Sequence, residues 1–242
     1  MNAETTTHTK HSDRAIGERR TIGVLAIALA VSLAVQNAVV IATGSATYSD
    51  PIQNVFTFHA QNRGAVAIVV GLEALNLPLL LGFLAGLHGL VGRRGRSGAI
   101  WSRLAVAAGA VTAAAFALYA VLWIGVVLAA GQLAEPNPLF RLVWQLHAAA
   151  FALALPALGT TFIGAAQAAH ASRLTPPWQR LLGLVTGVLL IVAGTASLAI
   201  ADGSALLFVG LPGYFAWIVW LAATGVRLMR ALTTEGLVPE RS

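Results

Sequence analysis

Two ionisable residues lie within long apolar stretches of the sequence, where ionisable residues are rare. Glu73 belongs to an apolar run that starts at Gly64, and His147 belongs to a run that starts at Leu139. If both runs are helices that enter a bilayer from one face, each residue lies roughly 13 Å deep. A carboxylate at that depth must be protonated, paired or open to water, and an imidazole is a suitable partner. We therefore predict a protonatable site at Glu73 and His147 that binds or passes a small ligand or a proton.

Several uncharged polar residues are predicted at a comparable depth and extend this candidate site. Asn76 follows Glu73 by one helical turn, and Trp144 and Phe151 share the helical face of His147. The other candidates at this depth are amides: Gln36, Asn37 and Gln145. The alternative is that these polar groups only connect helices. Such hydrogen bonds stabilise membrane helices by about 0.6 kcal/mol on average, so a full carboxylate is seldom needed for that purpose, whereas the three amides fit it well.

Two further histidines, His88 and His170, form a second and weaker candidate pair. Both lie near the ends of apolar runs at matched depth, which is the arrangement of two axial haem ligands. Each also lies within a few residues of an arginine, where a histidine reaches interfacial water without any ligand. We therefore expect no cofactor, and a haem protein ranks last among the functional hypotheses. Tyr214 is likewise expected at the interface.

The common signatures of catalysis are missing from the chain. It contains no cysteine, which excludes thiolate metal sites and a cysteine nucleophile. Phosphate-binding loops, nucleophile elbows, His-Glu-x-x-His pairs and dinucleotide fingerprints do not occur either. No residue is assigned a catalytic role, and enzymatic activity has no positive signal.

Composition predicts the elements that must position these residues. Of 242 residues, 57% are hydrophobic and 10% charged, and the mean hydropathy is +0.78. Because one crossing needs about 20 apolar residues, the sequence predicts an all-α, polytopic transmembrane helix bundle at 21–230. About six helices are expected, and no sizeable soluble domain. The apolar runs cover residues 22–43, 64–91, 99–130, 139–169, 181–201 and 205–229.

The basic residues predict how the bundle is oriented. All but two of the 15 Lys and Arg residues lie in the amino-terminal tail, alternate connections and the carboxyl terminus; the exceptions are Arg63 and Arg141. The positive-inside rule then places both termini in the cytoplasm, as expected of a multi-pass protein of the cytoplasmic membrane. The polar segment 1–20 is predicted to be a disordered cytoplasmic tail, and 231–242 a second tail. The basic residues follow topology, so no nucleic-acid partner is expected.

Small residues predict close helix packing, and the loops predict turns. Gly82 and Gly86, and Gly183 and Gly187 with Gly194, have the spacing that allows helix backbones to approach. These faces also support an alternative function, in which the chain is a structural or accessory subunit that packs against a membrane partner or a second copy. The polar stretch 44–63 is predicted to be an aqueous loop.

Three short motifs resemble a bacterial membrane family that is catalogued as a domain of unknown function. They are the acid in Gly71-Leu-Glu73, the step Leu146-His147 and the turn Pro177-Trp178, and the similar region ends near residue 229. The resemblance implies a compact membrane domain of six or seven helices whose activity is unassigned, with Glu73 and His147 at the polar positions of the family. This chain departs from the family by carrying Glu where the shorter Asp is expected.

Overall fold

The computed structural model describes the backbone of residues 3–235 and the side chains of residues 16–95 and 97–230. Within these ranges the chain is helical and has no strand, which confirms the all-α prediction. A short 3₁₀ helix, Arg96–Gly98, precedes α4. The helices are α1 (Ala3–Ala42), α2 (Ile52–Gln61), α3 (Arg63–Arg93), α4 (Ala99–Ala130), α5 (Pro138–Ala171), α6 (Pro177–Thr195), α7 (Ser197–Ala201) and α8 (Leu207–Glu235).

Six of the described helices are long and apolar enough to cross a membrane, and they indicate a multi-pass membrane protein. The fifth predicted run is interrupted: α6 ends at Thr195 and α7 begins at Ser197. The break follows Gly194 and Thr195, residue types with low helix propensity. The candidate spans are Ile16–Ala42, Arg63–Arg93, Ala99–Ala130, Pro138–Ala171, Pro177–Thr195 and Leu207–Arg230.

The six long helices form a closed ring in chain order. Each packs on the next, from α1 through α3, α4, α5 and α6 to α8, and α8 closes the ring against α1. We call the end with the turns at 94–98 and 172–176 the terminal end, and the end with 43–51 and 131–137 the loop end. At the terminal end Arg93 forms an ion pair with Glu18 of α1, and Arg227 donates to the carbonyl of Leu174 at 2.9 Å. These contacts tie the ring together where the connections are short.

Glycine contacts hold neighbouring helices of the ring at short distance, as the small-residue spacing predicted. A Cβ on Gly187 would lie 2.7 Å from the carbonyl oxygen of Gly159, so the backbones of α5 and α6 touch. The first and last helices meet in the same way, because a Cβ on Gly225 would lie 2.7 Å from the carbonyl oxygen of Gly23. Neither contact leaves room for a side chain, so both fix the distance between their helices.

The polar segment at the amino terminus differs from its prediction. The sequence predicts a disordered tail over 1–20, whereas α1 begins at Ala3 and becomes long and apolar enough to span from Ile16. Extending an existing helix adds one hydrogen bond for each residue fixed, so an apolar helix can continue into the polar residues before it. The second predicted tail, 231–242, begins within α8, and residues 236–242 lie outside the described part of the chain.

The segment predicted to be an aqueous loop folds onto the loop end of the ring instead. It forms α2, in which Val55, Phe56 and His59 are buried. The Phe56 ring meets that of Phe140 edge to face, with centroids 5.2 Å apart, in a small apolar core that also contains Trp144. The segment contains enough apolar residues on one side of a short amphipathic helix to cover this end of the bundle.

The contact at Gly187 leads to a stability prediction. Replacing Gly187 by Ala removes the flexibility cost of glycine but places a methyl group against the backbone of α5, and such overpacking costs about 1–3 kcal/mol. We expect a lower unfolding temperature for purified Gly187→Ala in detergent. Gly89→Ala is the matched control, because a Cβ at this position meets open space. The only expected effect of this substitution is the higher helix propensity of alanine. Equal unfolding temperatures for the two variants would contradict the close α5–α6 contact.

Candidate functional site

A cavity of about 270 Å³ lies inside the ring, towards the loop end. Helices α1, α3, α4, α5 and α8 and the segment after α1 contribute to its wall. Thr47 and Phe208, both exposed to the outside, also line it and therefore mark its mouth. Glu73 and His147 both line this cavity, as their matched depth predicted they could. No hydrogen bond joins these two side chains within the described structure.

Glu73 belongs to a buried hydrogen-bond network between α1 and α3. The Gln36 side-chain amide donates to Glu73 Oε2 at 2.6 Å, and the Asn76 amide donates to Gln36 Oε1 at 2.8 Å. All three residues are more than nine-tenths buried. The network satisfies both polar ends of Gln36, so this amide holds the carboxyl group of Glu73 in a fixed position. Gln36 and Asn76 therefore connect helices, as the alternative hypothesis expected of such amides.

A second, smaller cavity of about 40 Å³ adjoins the first on its terminal-end side. Glu73, Phe116 and Tyr214 line both cavities and so separate them. Asn76 also lines the small cavity, and its Oδ1 is buried with no hydrogen-bond partner in the part of the chain described. This volume is enough for a water molecule. Glu73 thus borders a cavity on each of two sides.

His147 is enclosed by aromatic rings. Its imidazole stacks between Tyr119, with centroids 4.3 Å apart, and Trp144, with centroids 5.0 Å apart. The Tyr48 ring meets it edge-on at 5.6 Å. Although His147 is only 2% exposed, neither of its ring nitrogens has a hydrogen-bond partner among the described residues. An imidazole carries one donor and one acceptor when neutral, so both functions are unused within the described structure.

Two residues of the site, Tyr48 and His59, were missed because both belong to the segment predicted to be an aqueous loop. His59 is fully buried; its Nδ1 lies 2.7 Å from the Val55 carbonyl oxygen and its Nε2 accepts from the Trp123 indole at 3.1 Å. These contacts require the neutral tautomer protonated at Nδ1. Burial lowers the pKa of His59, and the hydrogen bond to Val55 opposes this only in part. His59 therefore holds Trp123 in the cavity wall and keeps no free nitrogen.

Tyr48 places a hydroxyl group in the cavity wall. Burial raises its pKa above the ordinary value of 10.0, and the Tyr119 side chain offsets part of this effect. The phenol therefore stays protonated and retains a proton to donate. One feature of the sequence could have indicated this position: a tyrosine is largely apolar, so within a polar segment its ring is better buried against the protein than exposed to water.

The other candidate residues fall into two groups. Asn37 lines the cavity, and its amide donates to the Leu33 carbonyl at 2.7 Å and to the Tyr214 hydroxyl at 3.3 Å. Tyr214 therefore lies in the cavity wall, not at the interface where the sequence predicted it. Gln145 is half-buried, does not line either cavity and makes no side-chain hydrogen bond within the described ranges. It points away from His147 because the two residues differ by two positions on α5.

The histidines considered as haem ligands lie at the terminal end and are engaged there. His88 Nδ1 is 2.8 Å from the Ser102 hydroxyl, and His170 Nδ1 is 3.3 Å from the Thr175 carbonyl oxygen. Neither lines the two cavities described above. Among residues 16–95 and 97–230, no group of three or more His, Asp or Glu side chains could hold a metal ion.

The terminal half of the ring is filled by aromatic side chains. Trp217 and Trp220 of α8 stack at 5.5 Å, and Phe162 of α5 meets both edge to face. Phe83 of α3 contacts Trp220 from the other side. Each of these four rings is almost completely buried. The central space is therefore open on the loop side of Glu73 and closed by this aromatic cluster on the terminal side.

No family model matches the chain, and comparisons with curated proteins and with solved structures find no match. The resemblance to an uncharacterised membrane family stays a prediction.

His59 predicts a pH dependence of stability. The folded protein holds this imidazole neutral because burial lowers its pKa, whereas a histidine in an unfolded chain has a pKa of about 6.5. Below about pH 6.5 the unfolded chain binds a proton that the folded protein excludes, so the free energy of unfolding falls. We expect the unfolding temperature in detergent to decrease as the pH is lowered through this range. In His59→Gln, which cannot titrate, part of the decrease should disappear, and identical pH profiles for the two proteins would contradict this role.

Proposed function

We propose that this protein is a multi-pass protein of the cytoplasmic membrane that binds a small molecule in the cavity beside Glu73 and His147. The observation that carries the proposal is the imidazole of His147, which is buried at the cavity wall and has no hydrogen-bond partner at either ring nitrogen among the described residues. A buried polar group without a partner costs about 1–3 kcal/mol. A bound molecule with a donor and an acceptor would remove this cost.

The alternative function, an accessory subunit whose polar residues only connect helices, explains less of the site. It accounts for Gln36 and Asn76, which link α1 to α3. It does not account for His147, which forms no hydrogen bond to any helix in the described structure. A phenylalanine at this position would pack against Tyr119 and Trp144 without leaving polar atoms unpaired. The use of a histidine here therefore favours a ligand-binding role.

Cavity size limits the class of ligand. A cavity of about 150 Å³ holds benzene, and ligand pockets in proteins commonly start at about 300 Å³. The 270 Å³ available here suits a compact molecule and is small for a macrocycle such as haem. Because the aromatic cluster closes the terminal half, the arrangement favours binding from the loop end over a continuous pore.

We further propose that the loop end faces outwards and that both termini are cytoplasmic. The support is the excess of Lys and Arg at the terminal end, which the positive-inside rule assigns to the cytoplasm. The mouth near Thr47 and Phe208 then opens outside the cell. A ligand would enter from that side or from the outer leaflet.

The orientation can be tested with single cysteines, since the natural chain has none. Ser49 at the loop end and Ser97 at the terminal end are both exposed, and Ser→Cys is a conservative change at each. In intact cells we expect a membrane-impermeant maleimide to label Ser49→Cys, and to label Ser97→Cys only after permeabilisation. The reverse pattern would show that the termini face outwards.

Ligand binding can be tested without knowledge of the natural ligand. We expect a thermal-shift screen of small polar compounds on the detergent-purified protein to yield compounds that raise its unfolding temperature. The same compounds should have no effect on His147→Phe, whose own unfolding temperature should equal or exceed that of the natural protein because no hydrogen bond is lost. Gln145→Ala, on the same helix but outside the cavity, should respond like the natural protein. A screen without such compounds, or with equal responses in all three proteins, would contradict the proposal.

A further inference from the structure

We propose that the molecule bound in this cavity carries a small organic ammonium group, which takes the place of the proton on Glu73. This inference rests on the proposed function and names its ligand class. Three features support it: the described cavity lining contains a carboxyl group and no cation, aromatic rings surround this space, and a buried carboxyl group is neutralised either by a proton or by a bound cation.

The lining charges exclude anions and leave cationic or neutral ligands. Among the described lining residues Glu73 carries the one carboxyl group, and none of them is Lys or Arg. An anionic ligand would therefore lie near an acid with no cation to pair with it. A neutral ligand could satisfy His147 but would leave no reason for a carboxyl group where an amide would serve equally.

The cavity wall presents aromatic rings in two parallel stripes. Phe116, Tyr119 and Trp123 lie on one face of α4, three and four residues apart, and Trp144, His147 and Phe151 repeat the spacing on α5. The stripes contact each other: Tyr119 stacks on His147, and the Phe116 and Phe151 rings are 6.1 Å apart. Aromatic faces attract a cation that has been stripped of water, and trimethylammonium groups are commonly recognised in this way.

Glu73 has two ways to be neutral in this setting. An ionised carboxylate at this depth is costly unless it is paired, and the Gln36 amide that holds it carries no charge. When the cavity is empty, a proton on the carboxyl group removes the cost. When an ammonium ion binds, the carboxylate pairs with it and the proton leaves through the mouth to the solvent. One cation enters and one proton departs, so the net charge of the site is unchanged.

This exchange makes binding dependent on pH. Protons compete with the cation for Glu73, so the affinity should fall as the pH falls. The other titratable groups that line the cavity with the acid are Tyr48 in the segment after α1, Tyr119 on α4, His147 on α5 and Tyr214 on α8. His59 does not line the cavity and contacts the Trp123 indole of its wall. The tyrosines keep their protons at neutral pH, and His59 is engaged through both ring nitrogens. His147 remains free to hydrogen-bond a hydroxyl group of the same ligand.

The test compares a cation with a neutral molecule of the same shape. Choline chloride and 3,3-dimethylbutan-1-ol share a hydroxyl group and a bulky end and differ in the charge of one atom. Calorimetric titration of the protein in an uncharged detergent at pH 8 should show choline binding at least about tenfold more tightly than the alcohol. In the pH range where Glu73 of the empty protein is protonated, choline affinity should fall about tenfold for each unit by which the pH is lowered. One proton should then be released for each choline bound.

Matched variants assign the effect to Glu73. Glu73→Gln should lose the preference for choline over the alcohol and the proton release. Glu135→Gln removes the same charge from an exposed turn at the same end of the bundle and should bind choline like the natural protein. If Glu73→Gln does not fold, the comparison of choline with the alcohol on the natural protein still decides the question.

Several results would overturn the inference. Equal or tighter binding of the alcohol, unchanged choline binding by Glu73→Gln, or displacement of choline by sodium at equal ionic strength would each exclude an organic-ammonium site. Binding of the alcohol alone would overturn the ligand class while the proposed function stands. If neither molecule binds, the inference fails, and the screen with His147→Phe decides the proposed function independently.

Discussion

The structure depends on the requirement that polar groups removed from water find partners within the protein. Helices satisfy it for the backbone, and hydrogen bonds from Gln36 to Glu73 and from Asn76 to Gln36 satisfy it in part across α1 and α3. His59 satisfies it through one carbonyl and one indole. His147 does not satisfy it within the described residues, because neither of its ring nitrogens has a hydrogen-bond partner there, and it lines the 270 Å³ cavity. The arrangement therefore connects ordinary helix packing with a place where an external molecule completes the hydrogen bonding.

The elements that hold the site could be predicted from the sequence because their signal is local. An apolar run of sufficient length is a membrane-spanning helix in almost any context, and counting residues from the run ends placed Glu73 and His147 at one level. The structure adds that they line one cavity without bonding to each other. Depth predicts the level of a residue along its helix, but the direction in which its side chain points depends on packing. That is why Gln145 lies outside the cavity although its depth is similar.

The residues that were missed depend on tertiary contacts. The segment that contains Tyr48 and His59 is polar on average, and its helix is too short to be stable alone. It folds because Val55 and Phe56 pack onto α4 and α5. Once it is folded, it supplies part of the cavity wall and fixes the indole of Trp123. A pattern based on hydropathy detects helices that lipid stabilises, and it does not detect one that the rest of the protein stabilises.

The contact between Gly23 and Gly225 has a mechanical consequence. Helices α1 and α8 are neighbours in the ring, but as the first and last helices they share no loop. Near the terminal end their backbones touch, whereas at the level of the cavity one long hydrogen bond, from Asn37 to Tyr214, joins them in the described structure. This seam can widen at the loop end without stretching any connection while the glycines act as a pivot. Of the six junctions in the ring, it is the one that no connecting segment bridges at either end.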